Sequence, residues 1–94
     1  MISFIFPLYN QEHVLEKSIT LLQQFLSEKL RENYEILLCN DGSPDNGPQI
    51  AEGLSKRFNE VRAIGYTKNK GRGHAIKYAG IDAKGDYIIY MDCD

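Results

Sequence analysis

The chain has 94 residues, 43% of them hydrophobic and 26% charged, with a formal net charge of −2. That is enough for one small soluble domain and one core, and it leaves no basic stripe for nucleic acid. Its purely apolar runs, such as residues 36–39, are far shorter than the roughly 20 residues of a membrane span.

The elements follow in a regular order. Residues 2–6 are an apolar run closed by Pro7 and predict a first strand that starts at once. The N-terminus lacks the basic n-region and small-residue cleavage site of a signal peptide. Asn10 is placed to cap a helix. Leu15, Ile19, Leu22, Leu26 and Leu30 recur at steps of three and four and mark one face of that helix. Residues 34–39 predict a buried central strand, followed by the turn cluster Asn40-Asp41-Gly42-Ser43-Pro44-Asp45. A second helix is expected to begin between Asp45 and Pro48, with Ile50, Leu54 and Phe58 inward. Residues 61–66 predict strand 3, and 68–73 a polar, glycine-bearing loop. Residues 73–84 predict a third helix with a small face of Ala75, Ala79 and Ala83, ended by Gly85. Residues 87–91 predict strand 4.

Strands alternating with helices imply right-handed βαβ units and a parallel sheet between helical layers, an α/β/α Rossmann-like arrangement. Reversal of the winding direction after strand 3 gives the strand order 3-2-1-4 and a crevice between strands 1 and 4, with Tyr9 and Asp94 on its lips. Strand 4 has no helix after it, so the pattern predicts an incomplete domain with an apolar edge at residues 87–91, open to a homo-oligomeric contact. Cys39 and Cys93 are too few for a disulfide framework or a zinc site. They are expected to be reduced and buried in a cytoplasmic protein, with strand 1 lying between their strands.

Ligands of such sheets bind beyond the carboxyl ends of the strands. Those ends carry residues 7–10, 40–43, 67–71 and 92–94. Asp41 can accept from a base edge or ribose hydroxyls, and Gly42 lets backbone approach a flat ring. Lys68, Lys70 and Arg72 place cations near a diphosphate. Asp92 and Asp94, two apart on a pleated strand, put two hard oxygen donors on one side, which suits Mg²⁺ or Mn²⁺ shared with phosphate oxygens. Each of these patterns alone is also an ordinary turn, a solvated loop or a pair of surface acids. Their meeting at one sheet edge favours a nucleotide site. The pair Gly71-x-Gly73 follows strand 3 and lacks a third glycine, so it is no dinucleotide fingerprint. His13 and His74 are expected to be ordinary helix residues.

Four segments carry a resemblance that spans nearly the whole chain: residues 5–12 (Ile-Phe-Pro-Leu-Tyr-Asn-Gln-Glu), 34–45 through Asn40-Asp41-Gly42-Ser43, 69–75 (Asn-Lys-Gly-Arg-Gly-His-Ala) and 85–94 ending in Asp92-Cys93-Asp94. In this order and spacing the sequence resembles family 2 glycosyltransferases of the GT-A fold, the group that includes dolichol-phosphate mannose synthases. The resemblance implies a nucleotide-diphospho-sugar donor, a divalent metal and transfer with inversion. By position it implies nucleotide contacts at Pro7, Tyr9, Glu12, Asp41, Gly71 and Asp92, with Asp92 and Asp94 as the D-x-D pair that addresses metal and diphosphate. The family often has Asp where this chain has Asn40, so no role is carried to that position. It also places the catalytic base and acceptor site beyond residue 94.

Residues 1–94 therefore read as the donor-binding part of a longer enzyme, by themselves unable to transfer sugar, with polyprenyl phosphate or a growing polysaccharide as acceptor. Further parts could hold it at the cytoplasmic face of a membrane. The competing readings are a nucleotide-binding α/β module without transfer activity and an inactive fragment. Nucleotidyltransferases also use paired acids, but commonly carry a glycine-rich basic loop after strand 1, and residues 7–11 have neither glycine nor cation.

Overall fold

A computed structural model describes residues 1–93. The elements run β1 (Ile2–Leu8), α1 (Glu12–Lys29), β2 (Tyr34–Asp41), α2 (Gly47–Arg57), β3 (Val61–Tyr66), α3 (Arg72–Asp82) and β4 (Tyr87–Tyr90). The strands form one parallel sheet in the order β3-β2-β1-β4, as the crossover argument requires. Ile2 of β1 is in register with Tyr34 of β2 and Tyr87 of β4.

Alternation along the two central strands builds two cores. Phe4, Phe6, Leu8, Ile36 and Leu38 meet Leu15, Ile19 and Leu26 of α1 and Ala51 and Leu54 of α2. On the other face, Ile5, Leu37 and Cys39 meet Ala75 and Ala79 of α3. Helices α1 and α2 thus cover one face and α3 the other, which is what right-handed crossovers dictate when winding reverses after β3. The cysteines divide the same way. Cys93 belongs to the first core and Cys39 to the second, so both are buried and the sheet stands between them. Burial first, and then the nearby Asp41 charge, push the Cys39 thiol up to about 11, which keeps it an inert packing group.

Four local expectations are corrected. Strand β1 passes through Pro7 to Leu8, and β2 runs on to Asp41, so the first two residues of the predicted turn are strand. Asn10 does not cap α1. It takes φ +57°, Gln11 is the cap residue, and the Glu12 N–H donates to Asp45 Oδ2 at 3.1 Å. Asp45 also accepts the Gly47 N–H at the start of α2, so one carboxylate from the loop caps two helices. The inner face of α1 is not purely apolar: Leu22 packs partly buried on the core as its spacing predicts, but Gln23 is buried beside it, donating to Glu60 and accepting from the Tyr34 hydroxyl.

The fourth correction concerns α3, which ends at Asp82, with Gly85 outside it. Gly85 is needed for a close approach: a Cβ there would lie 2.6 Å from Ser3 Oγ and 2.8 Å from the Met1 carbonyl oxygen. Its N–H donates to Ser3 Oγ, Ser3 donates to Glu35, and Glu35 also accepts the Lys84 N–H and Arg62. This polar network pins the α3–β4 connection to the amino ends of β1 and β2. Strand β4 itself is exposed on both faces from Tyr87 to Tyr90.

Candidate functional site

The carboxyl ends of β1 and β2, the β3–α3 loop and Asp92 beyond β4 enclose a cleft of about 300 Å³. Pro7, Tyr9, Asp41, Gly71 and Asp92, five of the sequence-derived nucleotide contacts, all line it. Arg72 brings a cation to the same cleft, and Gln11 and Asn69 bring amides. A larger groove of about 580 Å³ lies beside α2, but its lining carries Glu52 as the sole charged group among the described residues. Asn40 lines that groove and not the cleft.

Asp41 is the organising residue. It is 3% exposed and its carboxylate accepts four hydrogen bonds. Oδ1 takes the Tyr66 hydroxyl and the Lys70 N–H, both at 2.8 Å; Oδ2 takes the Asn69 side-chain amide and the Gly71 N–H, both at 2.9 Å. The Asn69 amide also reaches the Asp41 carbonyl. Successive backbone N–H groups converging on a carboxylate fix the conformation of the segment that carries them. The carboxylate that the sequence offers to a base edge here holds the loop that walls the cleft. Burial first, then the hydrogen bond it gives Asp41 and that residue's charge, push the Tyr66 hydroxyl well above its usual range, so it stays a donor.

Gly42 follows at φ +64°, and a Cβ there would sit 2.2 Å from the Asn69 backbone nitrogen. Its close approach is to the backbone of this loop. Glu12 is not brought to the cleft. Its carboxylate accepts the Asn46 N–H, returning the bond that Asp45 gives α1. Burial opposes ionisation of Asp45, but bonds from Ser43 and the Gly47 and Glu12 N–H groups outweigh it and hold the carboxyl below its usual range. Among the three loop cations only Arg72 lines the cleft. Lys70 Nζ lies 5.6 Å from the Tyr66 ring centre. The exposed His74 packs its ring on Tyr66 and lines no cleft wall.

Asp92 lies just beyond β4, with its carboxylate half-exposed to the cleft and 2.9 Å from Arg72 Nε. Asp94, the other half of the expected metal pair, lies outside the described residues. Among the described residues no three ligand-type side chains cluster. A carboxylate opening on a cleft suits a cation shared with substrate oxygens and water, as Mg²⁺ is beside phosphates. Sequence reasoning missed Gln11 and the buttressing by Tyr66 and Asn69. No local pattern marks Tyr66 and Asn69, because the Asp41 carboxylate they hold lies in another strand.

A family model described as Glycosyl transferase family 2 matches residues 3–94. The dolichyl-phosphate beta-glucosyltransferase of Saccharomyces cerevisiae is 29% identical over 98 residues, covering 99% of this chain and 29% of that protein. The structure of S. aureus TarS 1-349 in complex with UDP-GlcNAc superposes with a TM-score of 0.76 at 28% identity, over 99% of this chain and 26% of that one. The mannosyltransferase PcManGT from Pyrobaculum calidifontis, in complex with GDP-Man and Mn²⁺, shares the fold at a TM-score of 0.84 and 20% identity, over 99% of this chain and 27% of that one. The chain spans 15–30% of the length of such curated relatives.

Proposed function

From the premise that this chain belongs to glycosyl transferase family 2, we propose that its cleft binds a nucleotide-diphospho-sugar and serves as the donor half of an inverting sugar transfer. The observation that carries this is the convergence of Tyr9, Asp41, the loop it holds with Arg72 at its end, and Asp92 from four separate chain segments on one cleft. In this reading Pro7 and the half-exposed Tyr9 flank the base, and the rigid backbone at Gly71 passes along the nucleotide. Arg72 lies where the diphosphate charge would fall. Asp41 acts on the nucleotide through the loop it fixes. Asp92 and Asp94 are the residues that would hold a divalent cation, Mg²⁺ or Mn²⁺, and that cation would supply charge neutralisation of the leaving diphosphate.

Inversion requires one displacement: the acceptor oxygen bonds to the anomeric carbon from the face opposite the diphosphate as the carbon–oxygen bond to the diphosphate breaks; a hydroxyl acceptor gives its proton to a base, whereas a phosphate acceptor attacks already ionised. We assign that base and the acceptor site to parts of the protein beyond residue 94, and residues 1–94 to the donor part. The relative named for dolichyl phosphate supports a polyprenyl phosphate acceptor, ahead of a growing polysaccharide. We place the protein in the cytoplasm or at the cytoplasmic face of a membrane; among the described residues no helix is long and apolar enough to cross one. The exposed β4 row is the surface through which we expect the chain to pair with a second copy when nothing else covers it.

The test is calorimetric titration of UDP and of GDP into the protein with and without Mn²⁺. Metal-dependent binding of either nucleotide, lost in Asp92→Asn, is the expected result. Absence of binding to both, in a protein shown to be folded, would overturn the reading.

A further inference from the structure

The Arg72–Asp92 pair has a geometry that goes beyond donor binding. Arg72 is the first residue of α3, and the first turn of that helix carries no acidic residue. A cation there opposes the partial positive charge of a helix N-terminus, where an acid would be favoured. The backbone is not free to relieve this, because Asp41 grips the Lys70 and Gly71 N–H groups immediately before it. The side chain instead reaches across the cleft from α3 to the end of β4, with its Nε on Asp92 Oδ1 at 2.9 Å and its guanidinium carbon 5.9 Å from the Tyr90 ring centre. Both partners are about half exposed, 51% and 58%, so the pair can open at little cost.

Resting on the assignment of Asp92 to the cation, we propose that Arg72 is an exchangeable counterion of that carboxylate. In the donor-free protein it neutralises Asp92 and competes with a divalent cation for it. A diphosphate supplies the anion that draws the guanidinium off Asp92 and lets cation and nucleotide settle together. The reason is electrostatic: a guanidinium and a divalent cation on one carboxylate repel each other at close range unless further negative charge stands between them. Arg72 can make the move without leaving the cleft, since its fixed backbone already lies on the wall beside Gly71. The consequence is ordered loading, in which metal alone binds poorly and a nucleoside diphosphate promotes it.

The test uses Mn²⁺ alone and Mn²⁺ with UDP or GDP, on the wild-type chain, Arg72→Gln and Asp92→Asn, each confirmed folded by circular dichroism. Removing the competitor in Arg72→Gln is expected to tighten binding of Mn²⁺ alone by roughly two- to fivefold, the scale of a half-exposed ion pair. The same variant is expected to weaken nucleotide binding at saturating Mn²⁺ by roughly tenfold, through loss of a charge-assisted contact. These changes have opposite signs, which a merely structural role of Arg72 would not produce. If Asp92→Asn loses Mn²⁺ while Arg72→Gln leaves Mn²⁺ affinity unchanged or weaker, the exchange is overturned and the cation assignment stands. If Asp92→Asn binds Mn²⁺ as the wild type does, the cation assignment falls and the exchange with it.

Discussion

Replacing Asp41 by Ala removes the acceptor of four hydrogen bonds and leaves the Tyr66 hydroxyl, the Asn69 amide and the Lys70 and Gly71 N–H groups facing a 3%-exposed void. Bonds to a charged acceptor contribute about 1.5–3 kcal/mol each, and a donor left dry costs a similar amount. The loop borders the open cleft, so water can reach part of the gap. Discounting each bond to about 1 kcal/mol gives a loss of about 4 kcal/mol, a large share of the roughly 5–15 kcal/mol of a small domain. Asp41→Asn keeps the shape but turns an NH₂ toward donors on one side, with an expected loss of about 2 kcal/mol. Urea denaturation measures both, with an unchanged slope expected since the surface exposed on unfolding is the same. Nucleotide affinity should fall with stability, because the loop that walls the cleft is the part released. Asp41→Ala within about 1 kcal/mol of wild type would show that the loop stands without the carboxylate and would refute this account of the site.

Acid stability reports on Glu35. Burial raises its carboxyl, but bonds from Ser3, the Lys84 N–H and Arg62 outweigh that and hold it below its ordinary value of 4.5. Since the folded value lies under the unfolded one, its stabilisation is complete above the ordinary range and is lost as pH falls through the folded value. Glu35→Gln should therefore be less stable at pH 7 and less steeply acid-sensitive below about pH 4.5 in denaturant melts; an acid profile parallel to wild type would contradict the network. Gly42→Ala should cost at least about 2 kcal/mol, from the positive φ and the clash with Asn69, and should weaken nucleotide binding in the same preparation; a neutral effect in urea melts would mean that the loop can retreat freely. The exposed row from Tyr87 to Tyr90 should make the chain self-associate as concentration rises, with Tyr87→Lys reducing it; light scattering that finds a monomer throughout a concentration series would exclude pairing through β4.

Much of the architecture was legible before any coordinates. Leu15, Ile19 and Leu26 fall at helical spacing because one face of α1 must meet the sheet, and residues 61–66 bound β3 correctly because an apolar run and its flanking polar residues are local signals. The sheet order followed from right-handed crossovers together with a reversal of winding after strand 3, as in doubly wound sheets. The position of the cleft followed from where parallel strands end. The partners of individual side chains were not legible. Glu12 fits a nucleotide contact by its place in a motif, yet it lies beside Asn46, 34 positions away, and completes a helix cap there. Asp41 fits a ligand acceptor, yet a loop 28 to 30 positions on reaches its oxygens first. Gly85 fits a helix terminator, and its actual constraint is the backbone of residues 1–3 pressed against it. Composition and periodicity fix which surfaces must be buried and therefore the topology. Whether a polar group is left for a ligand depends on which donors the fold brings within 3 Å, and only the tertiary structure decides that.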